Sequence, residues 1–471
     1  MENTGTKKVE GIVVEYLDLR SRDPKDIGLK ELKLRPKAFA KMLNLRILKI
    51  CCMYLSTDLK YLSNKLRYLD WCEYPMKYMP STFQPERLVE LRLTYSSIEQ
   101  LWKGTMSLDI SSQVPRLHED PKSERLILEG CTGLVNLDPS IEILKNLIFL
   151  NLKDCKNLMS LPSGIQLESL EVLNVSGCSK LKNISVNFGY MKCLSELYLD
   201  GIGVSELPLS IGHLTNLVLL SLSNCKNLRS IPDNICQLKA LTSLNLFGCS
   251  KLEKLLQDVG VLDCLKDSCS YSLLPSILQR QRESHTTLEL EALLRWGSLK
   301  HLFLDDCNLK AIPTTICHIY SLRSLDLSRN NIESLPASMN ELSNLWFLYL
   351  NGCKRLQELP ELSSYIHFID ANDCTSLGTI LSLSKYDHVA EFSFMNCFKL
   401  VEQNNILDTL NTLNLFSPGV RFQSGSVIKV GGVQYRLFCL HIGIMTGSWD
   451  LFSLLLESRI NLSAASVIIL L

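Results

Sequence analysis

One phrase recurs along this chain and limits what it can fold into: Leu-x-x-Leu-x-Leu, then two residues, then Cys or Asn. It reads Leu147-Leu150-Leu152 with Cys155, Leu170-Leu173-Val175 with Cys178, Leu217-Leu220-Leu222 with Cys225, and Leu241-Leu244-Leu246 with Cys249. It resumes as Leu299-Leu302-Leu304 with Cys307, Leu322-Leu325-Leu327 with Asn330, and Leu345-Leu348-Leu350 with Cys353. Neighbouring phrases start 23 residues apart (147 to 170) or 24 apart (217 to 241). A unit this short cannot bury an apolar face alone, so successive units must stack.

That period is the signature of a leucine-rich repeat. The phrase predicts a short strand. A second half repeats as Leu-Pro-x-x-Ile: Leu161 to Ile165, Leu207 to Ile211, Ile231 to Ile235, Ile312 to Ile316 and, ending in Met, Leu335 to Met339. Proline fixes φ and suits the first turn of a short helix. The expected fold is an α/β solenoid. It is a curved leucine-rich-repeat horseshoe, with a parallel β-sheet on the concave face and short helices or 3₁₀ turns on the convex face.

Composition agrees. The chain has 471 residues, 46% of them hydrophobic, enough for a continuous core. Lys plus Arg equals Asp plus Glu at 49, so no overall charge points to nucleic acid or an anionic membrane. The N-terminal Met-Glu-Asn-Thr-Gly stretch lacks an apolar signal core, and no apolar run reaches the roughly 20 residues a membrane span needs. A cytoplasmic protein is expected, with the nucleus as a second compartment. The sequons at Asn174 and Asn183 then read as ordinary repeat residues.

Eighteen cysteines would suit a disulfide scaffold, but their spacing argues otherwise. Cys131, Cys155, Cys178, Cys225, Cys249, Cys307, Cys353, Cys374 and Cys397 all occupy the slot after the phrase. That slot wants a small residue able to donate a hydrogen bond to the turn backbone, as Cys or Asn can. Free buried thiols follow. There is no Cys-x-x-Cys and no His-x-x-x-His, so no metal or other cofactor is expected.

Further phrases start at Leu45, Leu66, Leu88 and Leu194, with weaker ones ending at Leu128 and starting at Ile366 and Val389, making fourteen in all. Residues 1–44 are expected to form a linker and N-terminal cap. Residues 45–400 carry about 14–16 repeats, with a degenerate one in 104–124 and an insertion near 264–298. Residues 401–471 carry no period, only a strand-like patch at Val427 to Val430 and a Gly431-Gly432 turn.

The leucines point inward and carry no chemistry. The x positions beside them face the concave side, where a solenoid binds. Expected protein-binding residues are Phe149, Lys153, Glu196, Tyr198, Asp200, His301, Phe303, Asp305, Asp326, Phe347, Tyr349, Phe368 and Asp370. The later ones suggest an aromatic column (Phe303, Tyr349, with Phe347 and Phe368) beside an acidic one (Asp305, Asp326, Asp370). Exposed aromatics with adjacent charge are what an interface hot spot needs, although neighbouring aromatics also cover one another on ordinary surfaces. Enzyme readings fail. There is no phosphate-cradling Gly-x-x-x-x-Gly-Lys-Ser/Thr, Gly201-Ile-Gly203 lacks a third glycine, and the histidines pair with no nucleophile.

The first hundred residues go further. Gly5 to Gly11 is followed by Ala38-Phe-Ala-Lys-Met42, Leu45-Arg-Ile-Leu-Lys-Ile50, and Leu66-Arg-Tyr-Leu-Asp-Trp71 with Tyr74-Pro75. Then come Pro80-Ser-Thr-Phe-Gln-Pro85, Leu88-Val-Glu-Leu91 and Ile98-Glu-Gln-Leu-Trp102. This ordered series resembles the linker and first repeats of plant TIR-type nucleotide-binding leucine-rich-repeat disease-resistance proteins. The Gly-Cys-x-x-Leu repeats to Leu400 resemble the same family's repeat block, and Phe416 to Val427 resembles the opening of the β-rich domain that follows it. The resemblance implies a recognition and autoinhibition module of an intracellular immune receptor. Its partners would be a pathogen effector, a guarded host protein or the receptor's nucleotide-binding domain. No TIR glutamate and no nucleotide-binding lysine can be carried over onto this sequence. The alternatives are a generic intracellular leucine-rich-repeat scaffold and a non-functional truncated paralogue. The Trp71, Tyr74-Pro75 and Trp102 series speaks against the scaffold.

Overall fold

A computed structural model describes residues 6–14, 36–51, 58–83, 88–101, 124–137, 141, 146–252, 297–381, 391–402, 424–430, 433–438 and 468–469. The chain divides into two compact units, Met1–Cys307 and Asn308–Leu471.

The first unit is a ladder of short parallel strands: β1 (Gly11–Val14), β2 (Ile47–Cys51), β3 (Tyr68–Cys72), β4 (Glu90–Arg92), β5 (Glu124–Ile127), β6 (Leu147–Asn151), β7 (Val172–Asn174), β8 (Glu196–Tyr198), β9 (Leu219–Ser221), β10 (Ser243–Asn245) and β11 (His301–Phe303). Each pairs with the next in sequence order, which is what stacked repeats require. The register aligns equivalent leucines, Leu150 with Leu173, Leu197, Leu220, Leu244 and Leu302. These leucines are buried, while the outward residues alternate with them.

β1 was not announced by any leucine phrase. It lies in the segment expected to be linker and cap, and it pairs with β2 through Gly11–Ile47 and Val14–Ile50. The expected degenerate repeat in 104–124 and the insertion near 264–298 fall almost wholly outside the described residues. On either side of them, β4 pairs directly with β5 and β10 directly with β11.

The second unit repeats the pattern with β12 (Ser324–Asp326), β13 (Phe347–Tyr349), β15 (Phe368–Asp370) and β17 (Glu391–Ser393), with Leu325, Leu348, Ile369 and Phe392 in register. Two shorter strands, β14 (Glu358–Leu359) and β16 (Thr379–Ile380), pair with each other in a separate sheet. A five-residue helix, α1 (Phe398–Glu402), follows β17. Beyond it, β18 (Ser424–Val430) and β19 (Val433–Phe438) pair antiparallel, and β20 (Ile468–Ile469) pairs with β19, while the expected Gly431-Gly432 turn lies outside the described residues.

The proline half forms 3₁₀ turns at Leu209–His213, Asp233–Gln237, Thr314–His318 and Ala337–Glu341. Pro208, Pro232, Pro313 and Pro336 each stand at the N-cap, one residue earlier than the first-turn position expected, with φ between −69° and −58°. Leu161 to Ile165 forms only a turn.

In five successive repeats a left-handed residue follows the strand, just before the slot that cysteine usually fills. It is Asp154, Gly177, Gly201, Asn224 and Gly248 in successive repeats, with φ between +58° and +76°. Asp, Asn and Gly tolerate this region best. At Gly177 a Cβ would also stand 2.3 Å from the Asp154 carboxylate, so a larger residue there would have to displace that side chain as well.

All nine slot cysteines do the same thing. Cys131 donates to the Leu93 carbonyl at 2.9 Å, Cys155 to Leu128 at 3.1 Å and Cys178 to Leu152 at 3.1 Å. Cys225, Cys249 and Cys307 donate to Leu199, Leu222 and Leu246. Cys353, Cys374 and Cys397 donate to Leu327, Leu350 and Ala371. The acceptor lies in the preceding repeat, so the thiol ties repeats together rather than closing its own turn. Asn330 differs, since its amide donates to Leu327 of its own repeat while its carbonyl accepts Leu309 N–H from the repeat before.

At the N-terminal end the core turns aromatic. Phe39, Trp71 and Tyr74 are buried, with ring centres 6.0 Å and 5.2 Å apart in sequence. The Tyr74 hydroxyl donates to the Tyr78 carbonyl at 3.0 Å, and burial raises its pKa above the ordinary tyrosine value.

Candidate functional site: the outward strand face

In the first unit, the outward residues of β6 to β8 form a connected polar group. Tyr198 and Glu196 flank the buried Leu197, and the Tyr198 hydroxyl donates to the Glu196 carboxylate at 2.8 Å. Burial first, then that carboxylate, pushes the Tyr198 phenol up to about 12. Asp200 lies beyond β8, in the turn. Its carboxylate accepts from Ser176 Oγ at 3.0 Å, from Ser223 N–H at 2.8 Å and from Ser221 Oγ. Three repeats thus converge on Asp200, and its acceptors are consumed by the fold. With Lys153, Asn174 and Asn224, Tyr198 and Asp200 line a shallow depression of about 350 Å³.

Phe149 lies on β6 under a cation. The Arg125 guanidinium carbon stands 4.0 Å from its ring centre. His301 and Phe303 on β11 pair with Ser243 and Asn245, and Asp305 lies past the strand, its carbonyl accepting Gly248 N–H at 2.9 Å.

In the second unit five predicted residues come together. Pairing puts Phe347 beside Phe368, and Tyr349 between Asp326 and Asp370. The Phe368 ring centre is 5.5 Å from Tyr349 and 6.4 Å from Phe347. Burial, then Asp326 and Asp370, raises the Tyr349 pKa, and burial raises that of Asp326.

This register corrects the expected columns. Asp326, Tyr349 and Asp370 share one column, acid, phenol, acid, instead of standing in separate acidic and aromatic rows. Asp305 sits three residues past the buried Leu302, in the turn, whereas Asp326 follows Leu325 directly on the strand. Several outward groups are also engaged by their own turn or by the preceding repeat. Asp326 accepts Ser328 N–H at 2.9 Å, Asn174 accepts Ser176 N–H at 2.9 Å, and Asp370 accepts from Asn351 and Asn372 at 2.7 and 2.6 Å.

Three exposed residues escaped the sequence reading. Arg323, Trp346 and His367 occupy the first x of successive phrases and stack, with the guanidinium 5.0 Å from the indole and the imidazole 5.7 Å from it. The concave residues of the first repeats were missed as well: Tyr68, Asp70, Glu90, Arg92 and Arg125. Reading the x positions of Leu66 and Leu88 would have found four of them. Among the described residues no cluster of three or more His, Cys, Asp or Glu could hold a metal ion. Among the same residues no helix is long and apolar enough to cross a membrane.

A family model described as disease resistance protein RPS4B-like, leucine-rich repeats, matches residues 166–380, and a leucine-rich-repeat model matches 87–106. Disease resistance-like protein DSC1 of Arabidopsis thaliana is 35% identical over 447 residues, 85% of this chain and 35% of that protein. Disease resistance protein RPP2A of Arabidopsis thaliana is 38% identical over 45% of this chain and 17% of its own length. TMV resistance protein N of Nicotiana glutinosa is 33% identical over 76% of this chain and 33% of its own length. The chain therefore spans about a third or less of these relatives. Among solved structures, the leucine-rich repeat domain of the type III effector XopL aligns with a TM-score of 0.38 at 20% identity, over 49% of this chain and 70% of that one.

Proposed function

Since this chain belongs, by its repeats, to the leucine-rich-repeat family of plant disease resistance proteins, we propose that it is the recognition and autoinhibition module of an immune receptor. Its work is done by surface rather than by a reaction centre. The outward strand face of the second unit binds a protein, either a pathogen effector or a guarded host protein, in the cytoplasm or the nucleus. The nucleotide-binding domain of the receptor is the remaining partner. The NAD-hydrolysing and nucleotide-switching activities of such receptors belong to other domains.

One observation carries this reading. Phe347, Tyr349 and Phe368 pack against one another on the outward face, where the repeat core does not need them, with carboxylates on either side of the phenol. Large aromatics beside charge supply interface energy at small entropic cost. Co-precipitation of candidate effectors with the full chain tests it, comparing Phe303→Ala, Phe347→Ala and Tyr349→Ala with the parent. Loss of capture in the β13 variants supports the assignment, and capture unchanged in all three overturns it.

A further inference from the structure

The strongest unexplained surface lies in the first unit, on β3 to β6. Strand register places Tyr68, Glu90, Arg125 and Phe149 in one column, and Lys49, Asp70, Arg92 and Ile127 in the next. Glu90 is the low point of the group. Its side chain is 16% exposed, and it holds both arginines: Arg92 by Nη2 at 2.9 Å and Nε at 3.2 Å, Arg125 by Nε at 3.7 Å. The two guanidinium side chains are each 39% exposed. Among the described residues neither has a second carboxylate within ion-pair distance.

Glu90 therefore pairs with both cations, and the recessed Asp70 adds its charge beside Arg92. A guanidinium offers five N–H donors; Glu90 accepts from two of those on Arg92 and stands only at ion-pair distance from Arg125. The rest form planar forks already held in place, so little side-chain entropy remains to be lost on binding. Beneath them the surface is apolar. Arg125 lies flat on Phe149, and Ile127 is buried although its register points it outward. Asp70 is recessed too, 9% exposed, and accepts from the Tyr68 hydroxyl at 3.2 Å.

The geometry points to a docking surface for an acidic protein segment, whose Asp or Glu carboxylates engage Arg92 and Arg125 while a neighbouring apolar side chain rests on Phe149. The outward charge is positive and the local anions lie below it, so an approaching carboxylate meets forks before it meets Glu90. Nucleic acid fits less well. These columns present three cations, Lys49, Arg92 and Arg125, but a run of phosphates would pass Glu90 and Asp70, and the floor is aliphatic and aromatic rather than basic. This surface is separate from the Phe347, Tyr349 and Phe368 face, so either assignment can fail alone.

Fluorescence anisotropy of the full chain tests it. The probe is a labelled peptide of repeating Glu, Phe and Gly, with a Gln-for-Glu peptide as control and oligothymidylate as the competing polyanion. The Glu peptide binds and the Gln peptide does not. Arg92→Gln and Arg125→Gln each weaken binding roughly tenfold, the size of one lost charge-assisted contact. Glu90→Gln tightens it, because a competing carboxylate has gone. Arg125→Glu switches the preference to a Lys, Phe and Gly peptide, a reversal that a merely structural arginine would not produce. Circular dichroism confirms that each variant is folded. Absence of peptide binding, binding indifferent to Arg125→Gln in a folded variant, or tighter binding of oligothymidylate overturns the proposal.

Discussion

The Cys178 thiol donates to the Leu152 carbonyl at 3.1 Å, across 26 residues of sequence and one repeat of structure. Replacing Cys178 with Ala removes this donor while the Leu152 carbonyl still accepts Cys155 N–H at 3.2 Å, so the cost is that of one net hydrogen bond, about 0.5–1.5 kcal/mol. Ser keeps a donor and should recover part of the loss. Thermal or urea unfolding of the two variants measures the order: parent above Ser, Ser above Ala.

The thiol ladder sets a pH window. Burial pushes Cys178, Cys225 and Cys249 up to about 12, and Cys131 to about 11. An unfolded thiol titrates near 8.5. The folded state therefore holds these protons more tightly, and the stability they contribute is full below about pH 8.5 and is lost as pH rises toward 12. Each thiol should remove about 1.4 kcal/mol per pH unit within that window. Alkylation at neutral pH, read by mass spectrometry, should modify exposed Cys193 before the ladder cysteines, which should stay intact.

Asp200 and Tyr349 were both expected to be binding residues, and the two should now separate. Asp200→Ala strips acceptors from Ser176, Ser221 and Ser223 N–H, so it should destabilise the fold by about 1–3 kcal/mol. Tyr349→Ala, on a half-buried outward face, should cost little stability while removing partner capture. Melting curves for both variants decide the matter.

Trp71 anchors the aromatic end of the core, so Trp71→Ala should cost about 3–5 kcal/mol. Its indole Nε1 is buried with no hydrogen-bond partner among the described residues. Phe keeps a ring beside Phe39 and Tyr74 and removes that unsatisfied group. Trp71→Phe should therefore cost clearly less than Trp71→Ala in the same unfolding assay.

The repeat was legible because its constraints are local. A leucine that must face inward recurs at the same offset in every strand, so Leu150, Leu173 and Leu197 could be aligned by counting, and the register confirms them. The cysteine slot was legible for the same reason. Its hydrogen-bond acceptor was not, because Leu152 belongs to another repeat. β1 stayed hidden because Gly11–Val14 has no leucine phrase to mark it, and pairing with β2 is what makes it a strand.

By itself the sequence determined where the strands that carry a leucine phrase lie and which of their residues face inward, since periodicity alone carries that information. The tertiary structure decided which outward residues remain available to a partner. Asp200 is consumed by Ser176 and Ser221, 24 and 21 residues away, while Glu90 fixes Arg92 and Arg125 as exposed forks. Ser176, Ser221 and Arg125 each sit in a repeat next to that of their carboxylate, and only the register of neighbouring strands brings them within reach of it.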